Sequence, residues 1–257
     1  MTPTLILDAL RKPLALSASA KCVRIGGGKV NHVFRLTDGQ RQFAVKDLGE
    51  DDFTGIDRAE QLRLQRRLAE QGIAPAPCWL NDGQTLWVEK WVEGIGSDSP
   101  ALPELPALAQ ALATVHKQNV DAKPLCLANR WRHYIAKAQL SCRHPLVKEA
   151  EALMVKHKLN DKNNPQWVLC HNDLSYGHLV DPIQPMIVDW EYAARGNRFF
   201  DVVACAQING LNGSQSQQLC ALYADKANLQ YENVVNGFHE QEPVVTLTAE
   251  LWYLASQ

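Results

Sequence analysis

The chain has 257 residues, 46% of them hydrophobic, and a formal charge of -2. That is long enough to bury a substantial core, as one domain or two coupled lobes, and the charge balance gives no global reason to expect nucleic-acid binding. No segment approaches the roughly 18 apolar residues of a membrane-spanning helix. Seven scattered cysteines form no C-x-x-C pair or zinc spacing, which makes reduced thiols in a cytoplasmic protein the expectation.

Near the start, Ala18-Ser19-Ala20 has the small residues of a cleavage site. Asp8, Arg11 and Lys12 interrupt the apolar stretch before it, so no signal peptide is expected. Residues 22–46 read as strand, glycine loop, strand, turn, strand. Gly26-Gly27-Gly28 lets backbone approach a ligand closely and frees amides to face phosphate oxygens. It is not a Walker loop, because Val23 stands where the first glycine belongs and Val30 follows Lys29. Asn31, at the last glycine position, excludes a dinucleotide fingerprint. Asp38-Gly39 between two alternating runs marks a hairpin, and Lys46 ends the third strand.

A helix is predicted from about Asp57 to Gln71, stopping before Gly72 and Pro75. Asp57 and Glu60 have the spacing of a capping-box pair, and Arg58, Arg63, Arg66 and Arg67 read as a solvated face. Residues 78–80 and 85–88 flank Asn81-Asp82-Gly83 as a second hairpin. Polar, proline-rich sequence from Ser97 to Pro106 follows, and the domain boundary is placed between residues 94 and 95. Leu105, Leu108, Leu112 and Val115 then recur at helical spacing, with His116 read as a satisfied core histidine. Residues 130–140, 145–158 and 214–226 also read as helices. The stretch from there to the end, with His239, Glu240, Trp252 and Tyr253, has no clear assignment. There is no internal repeat.

The chemistry concentrates in residues 170–192. The apolar run Trp167-Val168-Leu169-Cys170 delivers His171 and Asp173 onto a turn, and Met186-Ile187-Val188 delivers Asp189. A single turn aspartate is most often a cap. Two of them, at the ends of short buried strands, suit magnesium-assisted phosphoryl transfer, in which one accepts the proton of an attacking hydroxyl and the other holds the metal.

His171-Asn172-Asp173 with Asp189-Trp190-Glu191-Tyr192-Ala193 resembles the aminoglycoside phosphotransferase and choline kinase family of small-molecule kinases. The second string is most similar to thiamine and choline kinases. The resemblance covers residues 22–206 and implies an α+β, protein-kinase-like two-lobe fold. Residues 1–94 would form a small antiparallel-sheet lobe with one helix, and residues 95–257 a larger, mainly helical lobe. It implies Asp173 and His171 as catalytic residues and Asp189 as the magnesium ligand. Gly26, Gly27, Gly28 and Lys46 would bind nucleotide phosphates, and Glu60 would pair with Lys46. Residues 89–94, including Glu89 and Trp91, would act as the hinge whose backbone holds adenine. Asp201 would brace the catalytic loop, although a helix N-cap serves equally well. His178 departs from the family, standing where the metal-binding Asn belongs. Imidazole favours softer ions than magnesium, which admits manganese.

The leading expectation is thus an ATP- and Mg2+-dependent kinase acting on a hydroxyl of a small metabolite. A cationic alcohol such as thiamine or choline is favoured, with an aminoglycoside or sugar as the alternative acceptor. The last segment of the chain would contribute to the acceptor pocket. No nucleic-acid or membrane partner is expected, and the sequence does not indicate an oligomeric state. Two other classes stay open. A zinc- or manganese-dependent hydrolase would use His171, Asp173, His178 and Asp189, and leaves Lys46 and Glu60 without a purpose. A nucleotide-binding protein with weak catalysis would explain the missing Asn.

Overall fold

A computed structural model describes residues 1–27, 32–49, 53–94, 105–157, 166–181 and 185–257. Gly28 of the glycine run, most of the proline-rich stretch before Leu105, and Lys158 lie outside these residues. The chain divides into two compact units, Met1–Asp51 with Leu62–Gly94, and Asp52–Gln61 with Ile95–Gln257.

The first unit is built on a five-stranded antiparallel sheet of order β1-β2-β3-β5-β4. Its strands are β1 (Lys21–Gly27), β2 (His32–Asp38), β3 (Arg41–Asp47), β4 (Pro77–Leu80) and β5 (Leu86–Lys90). The expected hairpins are present. Asp38 pairs with Arg41 across a two-residue turn that begins with Gly39 at φ +62, a backbone conformation glycine adopts without steric cost. At the β4–β5 turn, the Asn81 side chain accepts from the amides of Thr85 and Leu86, both at 2.8 Å.

One face of the sheet is covered by a helix that the sequence reading does not contain, α1 (Pro3–Arg11). Thr2 caps it, accepting from the Leu5 amide at 3.3 Å, and Pro3 is pre-set for the first turn. Ile6 and Leu10, one turn apart, are fully buried against Phe34, Leu36, Val45 and Val88. Asp8 and Arg11, which break the apolar run as a leader peptide, form the exposed face of this helix.

Helix α2 (Arg58–Glu70) corrects a second expectation. Arg63, Arg66 and Arg67 are exposed, but Arg58 is buried, on the same face as Gln61, Gln65 and Leu68. The spacing 58, 61, 65, 68 is itself one helical stripe, so counting the four arginines together hid the one that faces inward.

The second unit contains α3 (Leu105–His116), α4 (Leu127–Lys137), α5 (Pro145–Lys156), α6 (Arg198–Ile208), α7 (Gly213–Ala227) and α8 (Tyr231–Ala255). Two short ribbons accompany them: β6 (Trp167–Cys170) with β9 (Ala194–Asn197), and β7 (Leu179–Asp181) with β8 (Met186–Ile187). The unassigned final stretch is therefore one 25-residue helix. Gly237 and Pro243, both poor helix formers, obscured it. Gly237 is there for packing, since a Cβ at this position would stand 2.2 Å from the Phe199 ring of α6. Among the described residues no helix is long and apolar enough to cross a membrane.

Candidate active site

The site of the second unit is assembled where β6 ends. Antiparallel pairing sets Cys170 opposite Ala194, which brings residues 171–173 beside residues 190–193. The loop is held from behind by Asp201 in the first turn of α6. Its carboxylate accepts from the His171 amide at 2.8 Å and the Asn172 amide at 2.7 Å. His116 donates to the same carboxylate from Nε2 at 3.1 Å, and its Nδ1 accepts from the Tyr223 hydroxyl at 2.6 Å. The α6 N-cap is Asn197, so Asp201 braces the loop and does not cap the helix, and His116 is the satisfied core histidine expected. Burial alone would raise the Asp201 carboxyl. The hydrogen bond and charge of His116, with the His171 amide, outweigh it and hold the group below the ordinary value.

His171 is fully buried. Its Nε2 donates to the Val188 carbonyl at 3.1 Å, and its ring lies 4.8 Å from that of Trp190. Burial, and then the neighbouring His178, lower its pKa to about 4. The neutral ring ties the loop to the 188–190 segment and is enclosed by it. Asn172, at φ 64, makes a second tie by donating to the Tyr192 carbonyl at 2.9 Å.

Asp173, at the front of the loop, has its pKa raised to about 8, by burial first and then by the carboxylates of Asp189, Glu191 and Asp201. Asp189 sits in the left-handed region, φ 68 and ψ 56. That conformation is costly for a residue with a Cβ and recurs at functional sites. Asp173, His178 and Asp189 each offer a ligand atom, and these atoms all lie within 4.8 Å of one another. The carboxylates suit magnesium and the imidazole suits a softer ion.

Around this centre Arg58 donates to Glu191 at 2.9 Å in a largely buried pair. Trp252 of α8 donates Nε1–H to the Tyr192 hydroxyl at 2.9 Å and packs edge-on against Phe53 at 5.6 Å. Arg130 lies 5.7 Å over the Tyr192 ring. Asn209 donates to the Leu174 carbonyl at 3.0 Å and accepts from the Tyr176 amide at 2.8 Å. Asn209 and Arg130 had no signal in the sequence, because neither belongs to a spaced motif.

The first unit holds the other expected residues except Glu60. Lys46 is buried, with Nζ 3.7 Å from the Glu89 carboxylate. The same carboxylate accepts from Gln65 at 2.7 Å and from the Trp87 indole at 2.8 Å. Glu89, expected to act through its backbone, thus has a side-chain role. The amides of Lys90 and Trp91 are already donated to the Ala76 and Gln42 carbonyls, at 2.8 and 3.1 Å, so an adenine contact at Trp91 does not use its amide. The Trp91 ring lies under the Arg35 guanidinium at 4.5 Å. Gly26 and Gly27 close β1 opposite Val33 and His32, and a Cβ at Gly26 would meet nothing within 4 Å. Glu60 belongs to the second unit. Its amide donates to Asp57 at 3.0 Å, so the cap is present, and its carboxylate is 3.8 Å from Lys123.

A family model described as "Phosphotransferase enzyme family" matches residues 21–231. No curated protein sequence matches the chain. Among solved structures, choline kinase LicA from Streptococcus pneumoniae superposes with a TM-score of 0.73 at 17% identity, over 98% of this chain and 89% of that one. An ethanolamine kinase from Plasmodium vivax gives 0.71 at 15% identity, over 97% and 79%. A macrolide 2'-phosphotransferase type I gives 0.65 at 16% identity, over 100% and 94%. Identities this low carry the protein-kinase-like fold and nothing finer. The family match over most of the chain carries more: it places this protein in the phosphotransferase enzyme family, and a carboxylate loop braced from behind by one buried aspartate, with a second carboxylate facing it, agrees with that.

Proposed function

We propose that the protein transfers the γ-phosphoryl group of ATP to a hydroxyl of a small cationic alcohol such as thiamine or choline. The observation that carries the reading is the Asp173–Asp189 pair, with one carboxyl raised to about 8 and the other on a strained turn within metal-sharing distance. A carboxylate whose pKa lies near the working pH is an effective proton acceptor. Asp173 orients the acceptor hydroxyl and takes its proton, while Asp189 and His178 hold the divalent ion. That ion, once bound, neutralises charge developing on the phosphate oxygens. In the first unit, Lys46 meets phosphate oxygens and Glu89 steadies it; Glu60, in the second unit, keeps the role that the family resemblance implies for it. Gly26 and Gly27 leave backbone open to the nucleotide. An AMP complex is among the solved structures sharing the fold, that of LicA, at a TM-score of 0.75 and 16% identity.

The acceptor class is supported by chemistry around Asp173. Asp173, Asp189 and Glu191 make the surroundings negative, and Tyr192, Trp252 and Phe53 add aromatic faces of the kind that receive cations. The Tyr192 ring already has the Arg130 guanidinium over it. Family membership disfavours the hydrolase reading, which leaves the Lys46–Glu89 network unexplained.

The test is ATP consumption with thiamine, choline, ethanolamine, aminoglycosides and sugars in parallel, in magnesium and in manganese. Turnover with one of the two named alcohols above all the others is expected. Preference for an aminoglycoside or a sugar would overturn the acceptor assignment, and nucleotide binding without turnover on any acceptor would overturn the activity.

A further inference from the structure

The proposed metal position contains an imidazole, and the structure shows how that ring is aimed. His178 closes the short 3-10 turn Tyr176–His178. Its Nδ1 donates to the Asp173 carbonyl at 2.7 Å. The Ser175 amide also approaches Nδ1, at 3.4 Å, but a protonated Nδ1 has no lone pair to accept it, and the shorter contact decides. With the proton on Nδ1 the lone pair is on Nε2. Nε2 lies 3.6 Å from the Asp189 carboxylate, too long for a well-formed hydrogen bond. It is a suitable spacing for two ligands of one ion, since donors at about 2.1 Å from a metal stand about 3–4 Å apart. An N–H to carbonyl bond on the far nitrogen is also the usual support of a metal-bound histidine.

The two segments that carry these groups are joined by the Val188 amide, which donates to the His178 carbonyl at 3.0 Å. The Trp190 indole donates to the Ile187 carbonyl at 2.7 Å and holds the turn on which Asp189 sits. The imidazole is therefore fixed relative to Asp189 by backbone.

We infer that His178 supplies a nitrogen ligand, and that with Asp189 it makes this position select a first-row transition ion such as Mn2+ or Co2+ over Mg2+. This rests on the phosphotransfer reading only for the place of the ion. Magnesium demands oxygen donors and sheds water reluctantly, whereas manganese and cobalt accept imidazole. A histidine that only closed the 3-10 turn would have no such effect, so metal preference separates the two roles.

The experiment is metal binding to the full chain, with and without ATP. Calorimetry would use Mn2+, Co2+ and Mg2+, and pulsed electron paramagnetic resonance would use bound Mn2+ in protein labelled with 15N-histidine. The expected result is imidazole-nitrogen hyperfine coupling in the wild type, and Mn2+ or Co2+ binding tighter than Mg2+. In His178→Asn the coupling should vanish and Mn2+ affinity should fall at least about tenfold, with Mg2+ affinity unchanged or improved. Hyperfine coupling is read on the wild type, so the inference stays testable even if the variant folds poorly. Bound manganese without nitrogen coupling, or no metal binding at all, would overturn it. Magnesium-supported kinase turnover without nitrogen coupling would sink this inference and leave the proposed function standing. Nitrogen-ligated manganese in a protein that phosphorylates no acceptor would do the reverse.

Discussion

The loop at residues 171–173 has an aspartate at each of its faces, and the two are shifted in opposite directions. Behind it, Asp201 is completely buried, yet two backbone amides and His116 converge on its carboxylate and hold its pKa down. In front, Asp173 is less enclosed but is pushed up to about 8 by burial and three carboxylates of its own sign. The difference shows that burial alone does not set the charge state; the sign and number of the neighbours do. The rear of the loop is arranged for rigidity. Its front carries an unfavourable charge arrangement that a cation, if bound there, would relieve. Lys46 and Glu89 in the first unit resemble the rear, being a buried charged group beside its counter-charge with further donors around it.

The sharpest way to break this comparison is at the front. Asp173→Asn keeps the shape but cannot accept a proton, so turnover should fall by about 10²–10⁴ while nucleotide binding persists. Steady-state kinetics beside calorimetry checks this, and wild-type turnover in the folded variant would overturn the assignment of the base.

At the rear the effect should be on stability. Asp201→Asn leaves two loop amides sharing one weakened acceptor and places an N–H against groups that donate. A cost of about 3–5 kcal/mol is expected, as for the loss of one partner from a buried pair, measured by denaturant unfolding. Because the folded pKa of Asp201 is depressed, its contribution is present above the unfolded value near 3.8 and is lost as pH falls through the folded value. The gap between variant and wild type should therefore narrow in acid.

The same measurement on Asp173→Asn should run the other way. Asp173 is protonated in the folded state up to about 8 and ionised in the unfolded state from about 3.8. The folded state binds the extra proton in that window, so wild-type stability declines as pH rises through it. The variant has no such decline. Its Tm should match the wild type near pH 4 and exceed it by several degrees at pH 8, at about 2–4 °C for each kcal/mol. Magnesium or manganese should shrink the difference by stabilising only the wild-type carboxylate. Equal Tm values at pH 8 without metal would show that the front carries no such strain.

A smaller effect is expected at Glu89→Gln, which weakens the counter-charge of Lys46 and keeps the hydrogen bonds of similar shape. The KM for ATP should rise severalfold with little change in kcat. A change confined to kcat would place Lys46 in the chemistry of transfer and remove it from phosphate binding.

Much of this was legible from local spacing. Period-two alternation around Asp38-Gly39 marked the hairpin that ends at Lys46, and two apolar runs marked the strands that present Asp173 and Asp189. The glutamate three residues after Asp57 marked a cap that is present. The misreadings have physical causes. The charged side chains of α1 lie on one helical face and read along the chain as interruptions, and α8 contains Gly237 and Pro243, which local propensity counts against a helix. Arg58 was grouped with its neighbours, although its partner Glu191 is 133 positions away.

By itself the sequence determined the strands of the first sheet, the turns, the family and the candidate site residues, because periodicity and turn chemistry are set by neighbours along the chain. Only tertiary structure decided how those side chains are tuned. Asp201 meets the loop amides from 29 and 30 positions away and His116 from 85, and the bond from His178 to the Asp173 carbonyl selects the tautomer that faces Asp189. Charge state and tautomer follow from what the fold packs around a group, and spacing along the chain does not encode that.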